Sequence, residues 1–291
     1  MTVTRTYGLL LLVIVLWAGN FPIAKLGLTE IGPITLAATR AALATPLLLL
    51  MTRLSGKPIP KFTRVDYRVF LLISLTGLVG NTTIWFWGMK YTSPAAAGVL
   101  GAASPVVVSL AGALFLGDRL SRWNAAGVVF TTAAVLLTVC RGSLDMLRTL
   151  SFNRGDFIIM SSQMAWVFYT LYSRANRSHL SPLVIQTGAY LVSLAILAPL
   201  CLLEEPWVTL PHSSWRAWVA IVYTAIPVTV GHLWYYQVVR SIGAGRTAVF
   251  MNLMPFAVLT LSWAVLGEVI YWYHAVGAVL VIAGVALVTR R

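Results

Sequence analysis

Residues 105–127, PVVVSLAGALFLGDRLSRWNAAG, and residues 255–277, PFAVLTLSWAVLGEVIYWYHAVG, carry the same punctuation 150 positions apart. Each opens on a proline and runs apolar to a glycine followed by an acid, Gly117 with Asp118 and Gly267 with Glu268. Each then resumes an apolar run through a second shared glycine, Gly127 or Gly277. At that offset residues 91–139 align with 241–289 without a gap, and 11 of the 49 pairs are identical. Just upstream, Trp85, Phe86 and Lys90 fall opposite Tyr235, Tyr236 and Arg240. At an offset of 149, Trp17 falls opposite Trp166, Lys25 opposite Arg174 and Pro33 opposite Pro182. The chain therefore reads as a duplication: a first copy over 1–140, a connection at 141–155 and a second copy over 156–291.

Composition says what kind of unit is duplicated. Of 291 residues 59% are hydrophobic and 10% charged, with a mean hydropathy of +0.84. A soluble domain carries about a quarter charged residues, so a water-soluble or disordered chain is excluded. Ten apolar stretches can be marked off, approximately 7–27, 33–52, 68–90, 94–116, 123–140, 156–175, 182–203, 215–239, 244–266 and 272–289. At ~20 residues per crossing they account for about 200 positions and leave no room for a folded soluble domain. The first stretch is too long for a signal-peptide core and is read as a retained span. The expected fold is all-α, a polytopic membrane protein of ten transmembrane helices.

Five spans per copy is an odd number, so the second copy starts on the opposite side of the membrane from the first. That is the inverted-repeat arrangement of secondary transporters, with a substrate site near the midplane. Loop charges agree. With the N-terminus inside, 14 basic residues fall on the cytoplasmic side and six on the other, Arg40 lying within a span and counted in neither. Both termini are expected in the cytoplasm of a cell that carries the chain in its inner membrane. The net charge of +13 then reflects loop retention; no basic stripe interleaved with aromatics points to nucleic acid.

Polar groups at membrane depth are costly and mark function by default. All eight acids lie at or near span ends, so no buried carboxylate is expected as a proton or sodium relay. Arg40, about seven residues into its span, suits a substrate carboxylate, or else snorkels or caps carbonyls of a neighbouring helix. His232, near Tyr235 and Tyr236, either contacts substrate or is a neutral histidine bonded inside the bundle. Trp17 with Asn20, Asn81 with Trp85, and Gln163 with Trp166 and Tyr169 share helix faces. Such aromatic walls with a few amides fit an amphipathic small molecule, or serve core packing. Asn252 is a further contact or helix glue. Pro105 and Pro255, at equivalent mid-span positions, are candidate gating hinges or static kinks. Trp207, Trp215, Trp218, Trp272 and Tyr273 read as interfacial belt. Cys140 and Cys201 match neither metal-ligand spacing nor a disulfide framework. Neither a phosphate-binding GxxxxGK[ST] nor a zinc-binding HExxH is present, and no cofactor or obligatory protein partner is expected.

The segment WAGNFPIAK from Trp17, followed by Pro33 and Arg40, resembles the opening of the EamA-type branch of the drug/metabolite transporter superfamily. The two quoted tails resemble that branch as well, and the resemblance covers nearly the whole chain. It implies a ten-helix carrier of two inverted repeats, commonly an exporter of amino acids or related metabolites. The tryptophan-rich spans look most like aromatic amino-acid exporters. The second copy departs from the first, with Ala189 opposite Arg40 at the 149 offset. Two rival functions stand beside this one: export of other amphipathic metabolites or drugs, and a membrane-embedded enzyme on lipid-like substrates.

Overall fold

The computed structural model describes residues 3–56, 61–104, 106–107, 111, 114, 122–143, 145, 153–175, 179–242, 250–251 and 253–289. Among these residues there is no strand, and the helices are α1 (Val3–Gly27), α2 (Pro33–Leu54), α3 (Arg64–Tyr91), α4 (Pro94–Ala102), α5 (Arg122–Val139), α6 (Arg154–Ala175), α7 (Pro182–Cys201), α8 (Trp215–Ile242), α9 (Met254–Leu266) and α10 (Trp272–Thr289). Short helical turns at Leu202–Glu204 and Pro206–Thr209 link α7 to α8. Four helical stretches, Arg5–Gly27, Pro33–Leu54, Arg64–Tyr91 and Pro182–Glu204, are long and apolar enough to cross a membrane.

The helix starts follow local chemistry. Proline opens α2, α4 and α7, where its missing N–H has no partner to lose. Ser93 and Ser181 accept from the N–H groups of Ala96 and Val184, and Thr63 with Asp66 forms a reciprocal capping box on α3. Gly267 ends α9 at φ 63°, where a side chain would be strained, and its N–H closes on Trp263 O. Gly117, its partner in the repeat, lies outside the described residues.

Two departures from regular α-helix matter. The middle of α3, Ser74–Thr82, is π-helical, a rare geometry that often accompanies function. The spans expected at 94–116 and 244–266 are both interrupted. Ala103 follows α4 at φ −73°, ψ −15°, and Leu253 precedes α9 at φ −74°, ψ −13°, at positions 150 residues apart. Each interruption lies two residues before a proline of the quoted tails. Pro255 is therefore in the first turn of α9 rather than mid-helix, since its ring clashes with a continued helix on its N-terminal side. Pro105 lies outside the described residues.

Helices pair as α1 with α8 and α3 with α6, while α2 packs on α7 and α5 on α10. The C-terminus of α1 and the N-terminus of α6 reach the same end of the bundle: Lys25 Nζ donates to Met89 O (2.6 Å) and Thr92 O (2.7 Å), and the Thr92 hydroxyl bonds Asp156. Glu30, Glu204 and Glu268 also lie there, at what is termed the glutamate end. Large apolar side chains such as Leu11, Leu43, Leu72, Phe168 and Trp263 point outward, as lipid requires.

The core is uneven along the bundle. At the glutamate end one continuous apolar cluster joins both copies, with Leu28, Ile31, Leu36, Trp85, Phe86, Met89, Ile159, Leu197 and Ile221 all buried. Towards the opposite end the described core divides into separate patches, among them one around Ala41, Leu48 and Tyr190, one around Val69, Ile73 and Ala189, and one around Leu10, Ile14 and Val238. The described core is thus continuous at one end and divided into patches at the other.

Candidate functional site

Beyond the apolar seal of the glutamate end, α1 and α8 bring aromatic and polar side chains together. Trp17 Nε1–H donates to Val228 O at 3.3 Å, and its indole lies 4.7 Å from the His232 ring and 5.2 Å from Tyr235. His232 Nδ1 is 2.7 Å from the same carbonyl. A carbonyl only accepts, so Nδ1 carries the proton and a neutral ring offers its Nε2 lone pair. Trp17 and His232, both expected from the sequence to line a site, therefore meet in space, and Tyr235 joins them. Tyr236 lies in α8 with its side chain outside the described residues, and Asn252 lies outside them altogether.

Arg40 reaches the same region from α2. It is 8% exposed, about 10 Å along the helix from Pro33 at 1.5 Å per residue. Its Nη2 donates to Tyr190 Oη at 3.4 Å, and that hydroxyl is 3.4 Å from Thr229 Oγ1, one residue beyond Val228. Nε has no partner, and among the described residues no carboxylate lies within ion-pair distance. Asn20 Oδ1, one turn from Trp17, is likewise buried without a partner. A guanidinium offers five donors, and the one on Nε is unused here.

Tyr190 and Thr229 join this group without having been expected from the sequence, where Tyr235 was named only as a neighbour of His232. Tyr190 had a signal: at the 150 offset of the tails it, and not Ala189, stands opposite Arg40. Ala189 packs instead with Val69 and Ile73.

A second group joins α3, α4 and α6. Asn81, in the π-helical stretch, donates from Nδ2 to Ser162 O at 2.9 Å. Gln163 accepts from the Ser104 hydroxyl and donates from Nε2 to Ser162 Oγ at 3.3 Å. These amides are engaged in tying helices. Trp85 sits edge-on to Phe21 at 5.0 Å inside the apolar seal, so it packs rather than lining an opening. Trp166 and Tyr169 stack at 5.0 Å and are half-buried.

Acids at span ends are not all exposed. Asp66 and Asp156, in the first turns of α3 and α6, are 2% and 3% exposed. The expectation of no buried carboxylate fails at these helix ends, because a first-turn acid is sheltered by the backbone and hydroxyl groups it bonds. Two surface depressions, of about 270 and 530 Å³, open at the glutamate end beside Glu30 and touch none of the Trp17 or Arg40 groups. Among the described residues no cluster of His, Cys, Asp and Glu is arranged to hold a metal.

Known proteins resemble the chain along nearly its whole length. It is 29% identical over 267 residues to the uncharacterized transporter YyaM of Bacillus subtilis, covering 91% of this chain and 87% of that one. It is 26% identical to a probable terminal-alkyne amino-acid exporter of Streptantibioticus cattleyicolor (100% and 95%) and 25% identical to a probable amino-acid metabolite efflux pump of Salmonella typhimurium (95% and 92%). A crystal structure with 19% identity superposes with a TM-score of 0.64 over 96% of this chain and 98% of that one, which supports the fold. The relatives are named transporters and exporters, which sets aside the membrane-enzyme alternative. The EamA-like transporter family matches residues 4–140 and again 153–290, and the chain belongs to that family of membrane transporters.

Proposed function

We propose that this transporter exports amino acids, with aromatic or other apolar side chains favoured, by alternating access about the Trp17–Arg40–His232 site. The observation that carries the reading is Arg40: a buried guanidinium with an unused Nε and no ion-pair partner among the described residues, joined through Tyr190 and Thr229 to the turn of α8 on which Trp17 and His232 meet. A bare charge at a helix centre costs ~2.5–3.5 kcal/mol on insertion scales, and a substrate carboxylate gripped by two parallel N–H bonds offsets that cost. Trp17, His232 and Tyr235 offer faces for an apolar or aromatic side chain.

The rest of the reading concerns architecture. The pairing of α1 with α8 and of α3 with α6, with α2–α7 and α5–α10 as self-paired elements, is what two five-helix copies of opposite orientation would produce. The double family match and the matching interruptions at Ala103 and Leu253 support the same two copies, 1–140 and 156–291, joined at 141–155. The interruptions are suited to act as hinges beside Pro105 and Pro255. With the 14-to-6 loop charge bias, both termini and the end opposite the glutamates face the cytoplasm of an inner membrane, and the glutamate end faces outward.

The test is flux from proteoliposomes loaded with radiolabelled tryptophan, phenylalanine or leucine. Protein-dependent exit of unchanged amino acid is expected, fastest for the aromatic pair. Absence of protein-dependent exit for all three overturns the substrate reading. Efflux of cationic amphipathic dyes in its place would favour the drug or metabolite alternative.

A further inference from the structure

We propose that four carboxylates, Glu30, Asp156, Glu204 and Glu268, form a latch that holds the glutamate end closed. The inference rests on the transport reading for its purpose but on the structure alone for its geometry. Each carboxylate belongs to one copy and its partner to the other. Glu30, after α1, accepts from the N–H and the hydroxyl of Ser214, just ahead of α8, both at 2.6 Å. Glu204, after α7, accepts from Ile34 N–H at 3.1 Å and Thr35 N–H at 2.7 Å in the first turn of α2. Glu268, after α9, accepts from Ala95 N–H at 3.3 Å in the first turn of α4. Asp156 bonds the Thr92 hydroxyl at the C-terminus of α3.

Three of these ties place a negative charge at the N-terminus of a helix from the other copy, where free N–H groups and the helix dipole both favour it. They are charge-assisted and directional, unlike the apolar cluster beneath them. Leu28, Ile31, Phe86, Met89 and Ile221 exclude water but do not fix how helix ends sit against one another. The two devices complement each other, and the end cannot open while the ties stand. At the opposite end the described links between copies are of other kinds: the Thr52–Thr187 hydroxyl pair at 2.9 Å, and His179 at 3.9 Å from Asp66, a carboxylate bonded within its own capping box.

The ties are graded. Glu204 uses both oxygens, whereas Glu268 uses one long bond and leaves Oε1 buried without a partner. Glu204 also depends on Gly32, because a Cβ there would occupy the position of its carboxylate. Gly32→Ala therefore denies Glu204 its seat while leaving every carboxylate in the chain.

The experiment reads closure directly. In a background with Cys140 and Cys201 changed to alanine, one cysteine is placed at Ile31, 2% exposed in the seal, and in a second protein at Leu48, fully buried towards the opposite end. Maleimide labelling rates are measured on the full chain in detergent. Glu30→Gln with Glu204→Gln, and separately Gly32→Ala, are expected to raise labelling at position 31 at least tenfold and leave position 48 unchanged. Asp66→Asn, outside the latch, is expected to change neither. Unchanged labelling at position 31 in both variants overturns the latch, and so does equal acceleration at positions 31 and 48, which marks general loosening. No substrate is involved, so failure of amino-acid flux and failure of the latch are separate results.

Discussion

Replacing Arg40 by glutamine separates a binding arginine from a structural one, because the two roles predict opposite signs. In the substrate-free protein Arg40 makes one described hydrogen bond, to Tyr190 at 3.4 Å, and leaves Nε bare. A bond that long contributes at most about 1 kcal/mol net. Removing the charge from membrane depth relieves ~2.5–3.5 kcal/mol on insertion scales. Arg40→Gln should therefore leave the empty protein as stable as before or raise its stability by up to about 2 kcal/mol. With a carboxylate substrate the sign reverses. Hydrogen bonds to charged groups contribute about 1.5–3 kcal/mol each, so losing two should weaken tryptophan transport by roughly 10²-fold or more. Tryptamine, the same ring without the carboxylate, should be handled no worse by the variant than by the parent. The assays are thermal unfolding in detergent and paired tryptophan and tryptamine flux. If Arg40→Gln unfolds more easily and slows both solutes alike, Arg40 is a structural residue and the carboxylate argument fails.

Two further outcomes follow from the packing and the charges. Trp85→Ala removes an indole from the seal, where Trp85 is 9% exposed, and should cost about 3–5 kcal/mol, read as a fall in thermal midpoint; a change smaller than about 1 kcal/mol would instead place Trp85 at an opening. The hydrogen bonds from Ser214, first the side chain and then the backbone, hold the Glu30 carboxyl below the usual carboxylate value, with Arg216 adding in the same direction. A depressed carboxyl stabilises the closed form fully above its ordinary value near 4.5 and loses that contribution as pH falls from there through the lowered one. Acid should thus loosen the Ser214 tie in the parent, and Glu30→Gln should remove that part of the pH dependence, measured as the parent-to-variant ratio of labelling at position 31, in which the acid loss of thiolate cancels, as pH falls from about 4.5 through the lowered value.

Spans were the most legible part of the fold. Stretches expected at 33–52, 68–90 and 182–203 appear as Pro33–Leu54, Arg64–Tyr91 and Pro182–Cys201, because about twenty apolar residues with a proline or a capping box in front leave the backbone little alternative to helix. The interruption at Leu253 was written less plainly, although Pro255 is its cause. The π-helical turn in α3 was not legible, since nothing in SLTGLVGNT distinguishes one extra residue per turn from ordinary helix. Site residues divide in the same way. Trp17 and His232 could be singled out by depth and type and are neighbours in the structure, while Tyr190 and Thr229 join them through partners 150 and 39 residues away. Trp85 was ambiguous in sequence for a physical reason. An apolar residue facing lipid, seal or substrate satisfies the same hydropathy, and only the packing of Phe21 against it decides.

Gly32 has a consequence for how independent the two halves are. It leaves a hollow in the first half shaped for a carboxylate that the second half supplies, and at the 149-residue offset that pairs Pro33 with Pro182 the first half has Ser55 where the second has Glu204. A protein assembled from two first halves would bring an uncharged serine to a hollow that needs an anion, and the N–H groups of Ile34 and Thr35 would lose their charged acceptor. Whatever symmetry the ancestral duplication had, the descendants have become lock and key. Divided in the 141–155 connection and produced as two polypeptides, unlike halves should find each other and like halves should not.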